Sequence, residues 1–162
     1  MDKTSTNDIK EQIAETIQKM AGFMNMECQV EIKEEVDDKN NKALSVSVYT
    51  PENARFLIGK DGQNLKSLEH VLRAIFLKRI ADTHNNIVVD VNDYRKSRSV
   101  QLIELARQAV TRVRSSQKAE SLLPMSSYER RVVHMELAAY PDIATESIGS
   151  EPNRRIVIKP YP

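Results

Sequence analysis

Ala54-Arg55-Phe56-Leu57-Ile58-Gly59-Lys60-Asp61-Gly62-Gln63-Asn64-Leu65 is the stretch on which the fold turns. An apolar segment (Ala54, Phe56, Leu57, Ile58) runs into two glycines three positions apart, and a long amphipathic pattern begins near Gln63. In that pattern Leu65, Leu68, Leu72, Ile75 and Phe76 form one helical stripe. The spacing predicts a short helix, a tight bend and a long helix. Without side chains at 59 and 62, an anionic backbone can approach the peptide N–H groups of the bend. The dipole of the following helix favours the same charge. Lys60 adds a point charge, and Ile58 with its apolar neighbours would line a groove.

Upstream, Ile9, Ile13, Ile17 and Met20 predict a helix over 8–21, with Gly22 as its C-cap. Residues 27–35 alternate, with Cys28, Val30 and Ile32 on one face; residues 43–49 alternate with Leu44, Val46 and Val48 inward. The polar tract Asp37 to Asn41 reads as a hairpin loop, Pro51 ends the second strand, and Asn53 is placed to cap the short helix. Downstream, Asn85-Asn86 marks a turn and Ile87 to Val91 a strand. The order helix, strand, strand, helix, helix, strand makes one α+β domain ending near Asn92.

Residues 94–119 form a second long helical pattern, with Leu102, Ala106, Ala109 and Val113 on one face. They hold Arg95, Lys96, Arg98, Arg107, Arg112, Arg114 and Lys118 against Glu104 alone, and read as a basic connector between two domains. Pro124 and Ser126-Ser127 open a last unit. A helix is expected over 127–139 with Tyr128, Val132 and Met135 at helical spacing, then Pro141, a loop from Ser147 to Asn153, and a strand from Arg155 to Lys159. Within the helix, Arg130 and His134 lie four apart and so share a face.

The net charge of +1 hides an uneven distribution. Residues 1–52 carry 6 Lys/Arg and 11 Asp/Glu, residues 53–119 carry 13 and 6, and residues 120–162 carry 5 and 6. The middle third is a basic block, the footprint expected for phosphate contact. A single cysteine, Cys28, excludes an internal disulfide and a multi-cysteine zinc site. No stretch reaches the length of a membrane span, and the N-terminus is polar and acidic, which points to a cytoplasmic protein with no direct membrane insertion.

The Gly59-Lys60-Asp61-Gly62 loop between two helices, after a hairpin and before a third strand, resembles the KH module in its type II, bacterial arrangement, over residues 8–92. That resemblance implies a clamp for about four nucleotides of single-stranded RNA or DNA, with Ile58, Gly59, Lys60, Asp61 and Gly62 at the site. Relatives of this type often carry two basic residues in the loop, whereas here Asp61 offsets Lys60. The tract 120–160, with Pro124 to Glu129 before Arg130-Arg131-Val132-Val133-His134 and Glu151-Pro152-Asn153-Arg154-Arg155 leading into the last strand, resembles the R-three-H (Arg-xxx-His) domain. Arg130 and His134 are then the motif residues, with Arg131, Arg154 and Arg155 as further contacts.

A KH module followed by an R-three-H module resembles the bacterial Jag family of SpoIIIJ-associated RNA-binding proteins. The implied organisation is a KH domain over 1–93, a connecting helix over 94–119 and an R-three-H domain over 120–162. The family usually carries a further N-terminal Jag domain and a linker, which this sequence lacks. The resemblance implies a regulator in cell elongation and division that binds single-stranded RNA or DNA, and homo- or heterodimers formed with another KH protein. No catalytic constellation, metal cluster or P-loop is visible, since His70, His84 and His134 are scattered, so neither cofactor nor enzymatic activity is expected. The alternative expectation is a protein–protein adaptor dimerising through its KH domain with little RNA affinity; an RNA-processing enzyme comes third.

Overall fold

The computed structural model describes residues 6–36, 40–81, 84 and 86–161. The chain is α+β and divides into two compact units, Met1–Tyr94 and Arg95–Pro162. Among the described residues no helix is long and apolar enough to cross a membrane.

The first unit runs α1 (Thr6–Phe23), β1 (Gln29–Val36), β2 (Lys42–Tyr49), α2 (Ala54–Ile58), a 3₁₀ turn (Lys60–Gly62), α3 (Gln63–Ile80) and β3 (Asn86–Val91). The sheet order is β1-β2-β3, with β1 antiparallel and β3 parallel to β2. Ile9, Ile13, Ile17 and Ala21, four apart on α1, bury one stripe. Leu65, Leu68, Leu72, Phe76 and Ile80 do the same on α3. Both stripes pack on Leu44, Val46, Val48, Ile87, Val89 and Val91, the alternating inward residues of β2 and β3. Cys28, Val30 and Ile32 are only half-buried against this core.

Local details differ from the sequence expectation. Gly22 lies inside α1; the chain leaves the helix through Asn25, whose φ of +53° is a conformation that asparagine tolerates. Asn53 precedes α2 at φ +60° and makes no side-chain cap. Ile75 is 47% exposed, because the burial of α3 follows Leu72 and Phe76. Residues 37–39 of the expected hairpin loop and Asn85 of the expected turn lie outside the described residues; Asn86 already belongs to β3.

The outer edge of β3 is closed by side chains. Ile87 N donates to Asn86 Oδ1, Val89 N to Glu69 Oε2 and Val91 N to Asp90 Oδ1, at 2.9–3.0 Å. Arg73 Nε donates to Ile87 O at 2.8 Å, and its guanidinium pairs with Glu69 at 2.8 Å. A strand edge normally offers a row of such groups to any incoming chain. Here four of them are already taken.

The second unit contains α4 (Tyr94–Ser116), apart from its first residue, and then β4 (Glu120–Ser121), α5 (Ser127–Leu137), β5 (Ile143–Ile148) and β6 (Arg155–Pro160). Its sheet order is β4-β6-β5, with both pairings antiparallel. Leu102, Ala106, Ala109, Val110 and Val113 of α4 are buried with Met125, Val133, Leu137, Ile143, Ile156 and Ile158. The helix read as a connector thus supplies one wall of the second core. Strand β5 was not expected; it begins upstream of the loop read at Ser147 and takes in Ser147 and Ile148. Helix α5 turns a different face inward from the one its apolar residues suggest: Val133 and Leu137 are buried, with Glu129 and Arg130, while Tyr128 and Met135 are 56% and 64% exposed.

Candidate nucleic-acid interface

The Gly59–Gly62 bend lies at the surface of the first unit. Lys60 and Asp61 are exposed, and Ile58, Gly59 and Gly62 are half-buried. Both glycines have positive φ, +72° and +77°, as does Asp61 at +51°. The chain's own side chains also crowd them: a Cβ on Gly59 would lie 2.6 Å from Asn64 Cγ, and one on Gly62 2.9 Å from Tyr94 Cε1. Asn64 is held there by donating to Phe56 O at 2.8 Å. The two glycine amides are used internally, Gly59 N to Arg55 O at 2.8 Å and Gly62 N to Gly59 O at 3.4 Å. The glycines therefore shape the bend as well as baring it. Gly62, at the N-cap of the 18-residue α3, makes no side-chain cap, and the positive dipole end of the helix meets the bend beside Lys60.

Two residues just before the bend escaped the sequence reading as a pair. Phe56 is 53% exposed, and the Arg55 guanidinium stands 5.0 Å from its ring centroid. An exposed aromatic face beside a cation is the chemistry on which bases stack. One arginine among four apolar residues in a five-residue helix carried no signal that Phe56 would face outward.

In the second unit α5 starts with a closed capping box. Ser126 Oγ accepts from Glu129 N, and Glu129 Oε2 accepts from both Ser126 N and Ser126 Oγ. Arg98 Nε donates to the other carboxylate oxygen at 2.8 Å. Burial pushes the Glu129 carboxyl up, but the bonds from Arg98 and Ser126 outweigh it and hold the group below the usual carboxylate range. This helix N-terminus is occupied by its own chain.

Arg130 has an internal role as well. It is 8% exposed, and its Nη1 donates to Met125 O at 2.7 Å and to Glu151 Oε1 at 2.9 Å. It ties the Ser150–Asn153 turn to the start of α5, where Met125 N also bonds Arg154 O. His134 is exposed and shares a 2.6 Å hydrogen bond between Nδ1 and Thr145 Oγ1. Arg131, Arg154 and Arg155 are exposed and have no acidic partner among the described residues; Arg154 donates to Ser147 Oγ at 3.0 Å.

The charge of α4 is largely consumed. Arg98 pairs with Glu129, Arg107 with Glu136, Arg112 with Glu120 and Arg114 with Asp142, all within the second unit at 2.7–2.8 Å. The Arg112 and Arg114 guanidiniums hold the Glu120 and Asp142 carboxyls below their ordinary values. Counting basic residues along the helix could not reveal this, because the four acids lie 8 to 31 positions further on. Among the described residues no cluster of three or more His, Cys, Asp and Glu is placed to hold a metal ion.

Comparison with known proteins identifies part of this arrangement. Residues 100–160 match the R-three-H domain. The RNA-binding protein KhpB of Clostridium symbiosum is 32% identical over 141 residues, covering 80% of this chain and 63% of that protein. KhpB of Bacillus subtilis (strain 168) is 36% identical over 128 residues, 78% of this chain and 61% of the relative. KhpB of Lactiplantibacillus plantarum is 36% identical over 121 residues, 75% and 37%. The chain thus spans between 37% and 63% of the length of these relatives. The resemblance to the Jag family, read first from two motifs, holds over most of the sequence.

Proposed function

We propose that this relative of the KhpB proteins binds single-stranded RNA through two sites and does no chemistry on it. The first unit is read as a type II KH domain: its element order, its mixed β1-β2-β3 sheet and the glycine bend between α2 and α3 support that assignment. Lys60 and the dipole at the start of α3 would meet phosphate there. In the R-three-H unit the direct contacts are Arg131, His134, Arg154 and Arg155, while Arg130 positions the 150–155 turn. The observation that carries this reading is the distribution of unneutralised cations. Arg131, Arg154 and Arg155 lack acidic partners among the described residues, whereas four arginines of α4 have them.

The test is affinity for a fluorescein-labelled unstructured RNA of about 15 nucleotides, a length sufficient for two sites of the size a KH domain covers. Lys60→Asp and Arg131→Ala/Arg155→Ala are each expected to weaken binding, and together more than either alone, since linked sites gain through effective concentration. Binding left unchanged by both would reject the assignment.

A second reading, an adaptor that pairs with another KH protein, draws on one observation. The β3 edge of the first sheet is closed by side chains, while no side-chain hydrogen bond reaches the backbone of β1 among the described residues. The β1 edge is the side on which a partner strand could add.

A further inference from the structure

Helix α5 exposes the apolar residues that its sequence would bury. Tyr128 and Met135 are 56% and 64% exposed, and Val132 between them is half-buried. At positions 128, 132 and 135 they share one helical face, with Arg131 three residues after Tyr128 and four before Met135. His134 adjoins Arg131 on the side nearer the buried face. The stripe is not needed by the core, which takes Val133 and Leu137 from the same helix. The other anion-binding features of this helix are already engaged: the capping box closes its N-terminus, and Arg130 is held by Met125 and Glu151.

A phenol ring and a thioether in water beside a guanidinium with no acidic partner among the described residues match the chemistry of an unstacked nucleobase next to its phosphate. We propose that Tyr128, on the face it shares with Val132 and Met135, is the stacking platform for one base of a single strand, and that Arg131 receives the adjoining phosphate. The neighbouring His134 and the basic pair Arg154-Arg155 in the same unit favour a polyanion over an apolar protein surface as the occupant. Nothing on this face presents a fixed donor–acceptor pattern to a base edge, so the platform accepts purines and pyrimidines alike. The inference rests on the R-three-H unit binding single-stranded RNA, and it names the nucleotide contact within that site.

The experiment uses the full chain with oligo(A) and oligo(U) of about 12 nucleotides, long enough to engage the single-strand surface. Tyr128→Ala should weaken binding of both by roughly ten-fold, the loss of one base stack, while Tyr128→Phe, which keeps the ring, stays near the parent. The chain contains no tryptophan, so Tyr128→Trp installs a single indole reporter. Its emission should be quenched by either oligonucleotide and saturate with the binding curve. Circular dichroism melting confirms that each variant folds; should Tyr128→Ala not fold, Tyr128→Phe and the indole reporter decide. Unchanged affinity in Tyr128→Ala alongside a loss in Arg131→Ala would overturn the platform and leave RNA binding standing. An indole that responds to added protein but not to RNA would also overturn it, marking a self-association face. Failure of the parent chain to bind either oligonucleotide would remove the R-three-H reading itself.

Discussion

Arg130 and Arg131 are neighbours with opposite duties. The first is buried, with one nitrogen shared between a backbone carbonyl and Glu151; the second is exposed. Arg130→Ala would leave Met125 O without its donor and release the 150–155 turn, an expected loss of about 2–4 kcal/mol in urea unfolding. Arg131→Ala should lie within about 0.5 kcal/mol of the parent in the same measurement, yet lose RNA affinity. An equal destabilisation by both would contradict this division. Glu129 gives a pH signature. Its folded-state carboxyl titrates below the unfolded one, so its contribution is complete above the unfolded value and disappears as pH falls through the folded value. Glu129→Gln should therefore flatten the acid limb of the stability curve while lowering stability at neutral pH. The Arg-xxx-His spacing was visible at once in the sequence. That Glu129 and Arg130 would be buried was not, because charged residues read as surface until the partners Arg98 and Glu151, 31 and 21 positions away, are placed.

Helices and strands were legible where a period was long. Helix α1, α3 and α4 and strands β2 and β3 each carry an unbroken apolar pattern, and the structure places them within a few residues of expectation. Among the short elements α2, α5 and β6 also lie where expected, whereas β5 and the inward face of α5 do not. Strand β5, Ile143-Ala144-Thr145-Glu146-Ser147-Ile148, alternates weakly and is a strand only by virtue of pairing with β6. The eleven residues of α5 hold two competing apolar stripes, and the larger side chains pointed to the wrong one. The glycine bend, by contrast, was read correctly as a bend but only half understood. A methyl at Gly62 would sit 2.9 Å from the Tyr94 ring at φ +77°. Gly62→Ala is therefore expected to destabilise the first unit by about 1–3 kcal/mol, measured by thermal melting, before any effect on RNA. A neutral Gly62→Ala would mean that Tyr94 is free to move aside.

The two units have separate hydrophobic cores with no residue in common, one built on α1 and α3, the other on α4 and α5. The charge blocks seen along the sequence overstate the free charge of α4. Ion pairs with later acids absorb four of the six cations of α4, which leaves the helix less free charge than its sequence suggests. Salt titration should show this directly. Each lost phosphate contact on a single strand reduces the log–log salt slope by about 0.7, so Arg131→Ala should flatten it by that amount. Arg107→Ala and Arg112→Ala should leave it unchanged. A matching drop in the α4 variants would restore the long basic helix as the binding surface.

The hydrogen bonds that Asn86, Glu69, Asp90 and Arg73 make along β3 set a limit on assembly. A sheet with two receptive sides can propagate copy after copy into a filament, whereas one with a single receptive side satisfies its demand in one encounter. Were copies to pair through this sheet, joining β1 to β1 would produce a closed pair and halt there, whereas replacing Asn86, Glu69, Asp90 and Arg73 together would open the second side to further copies.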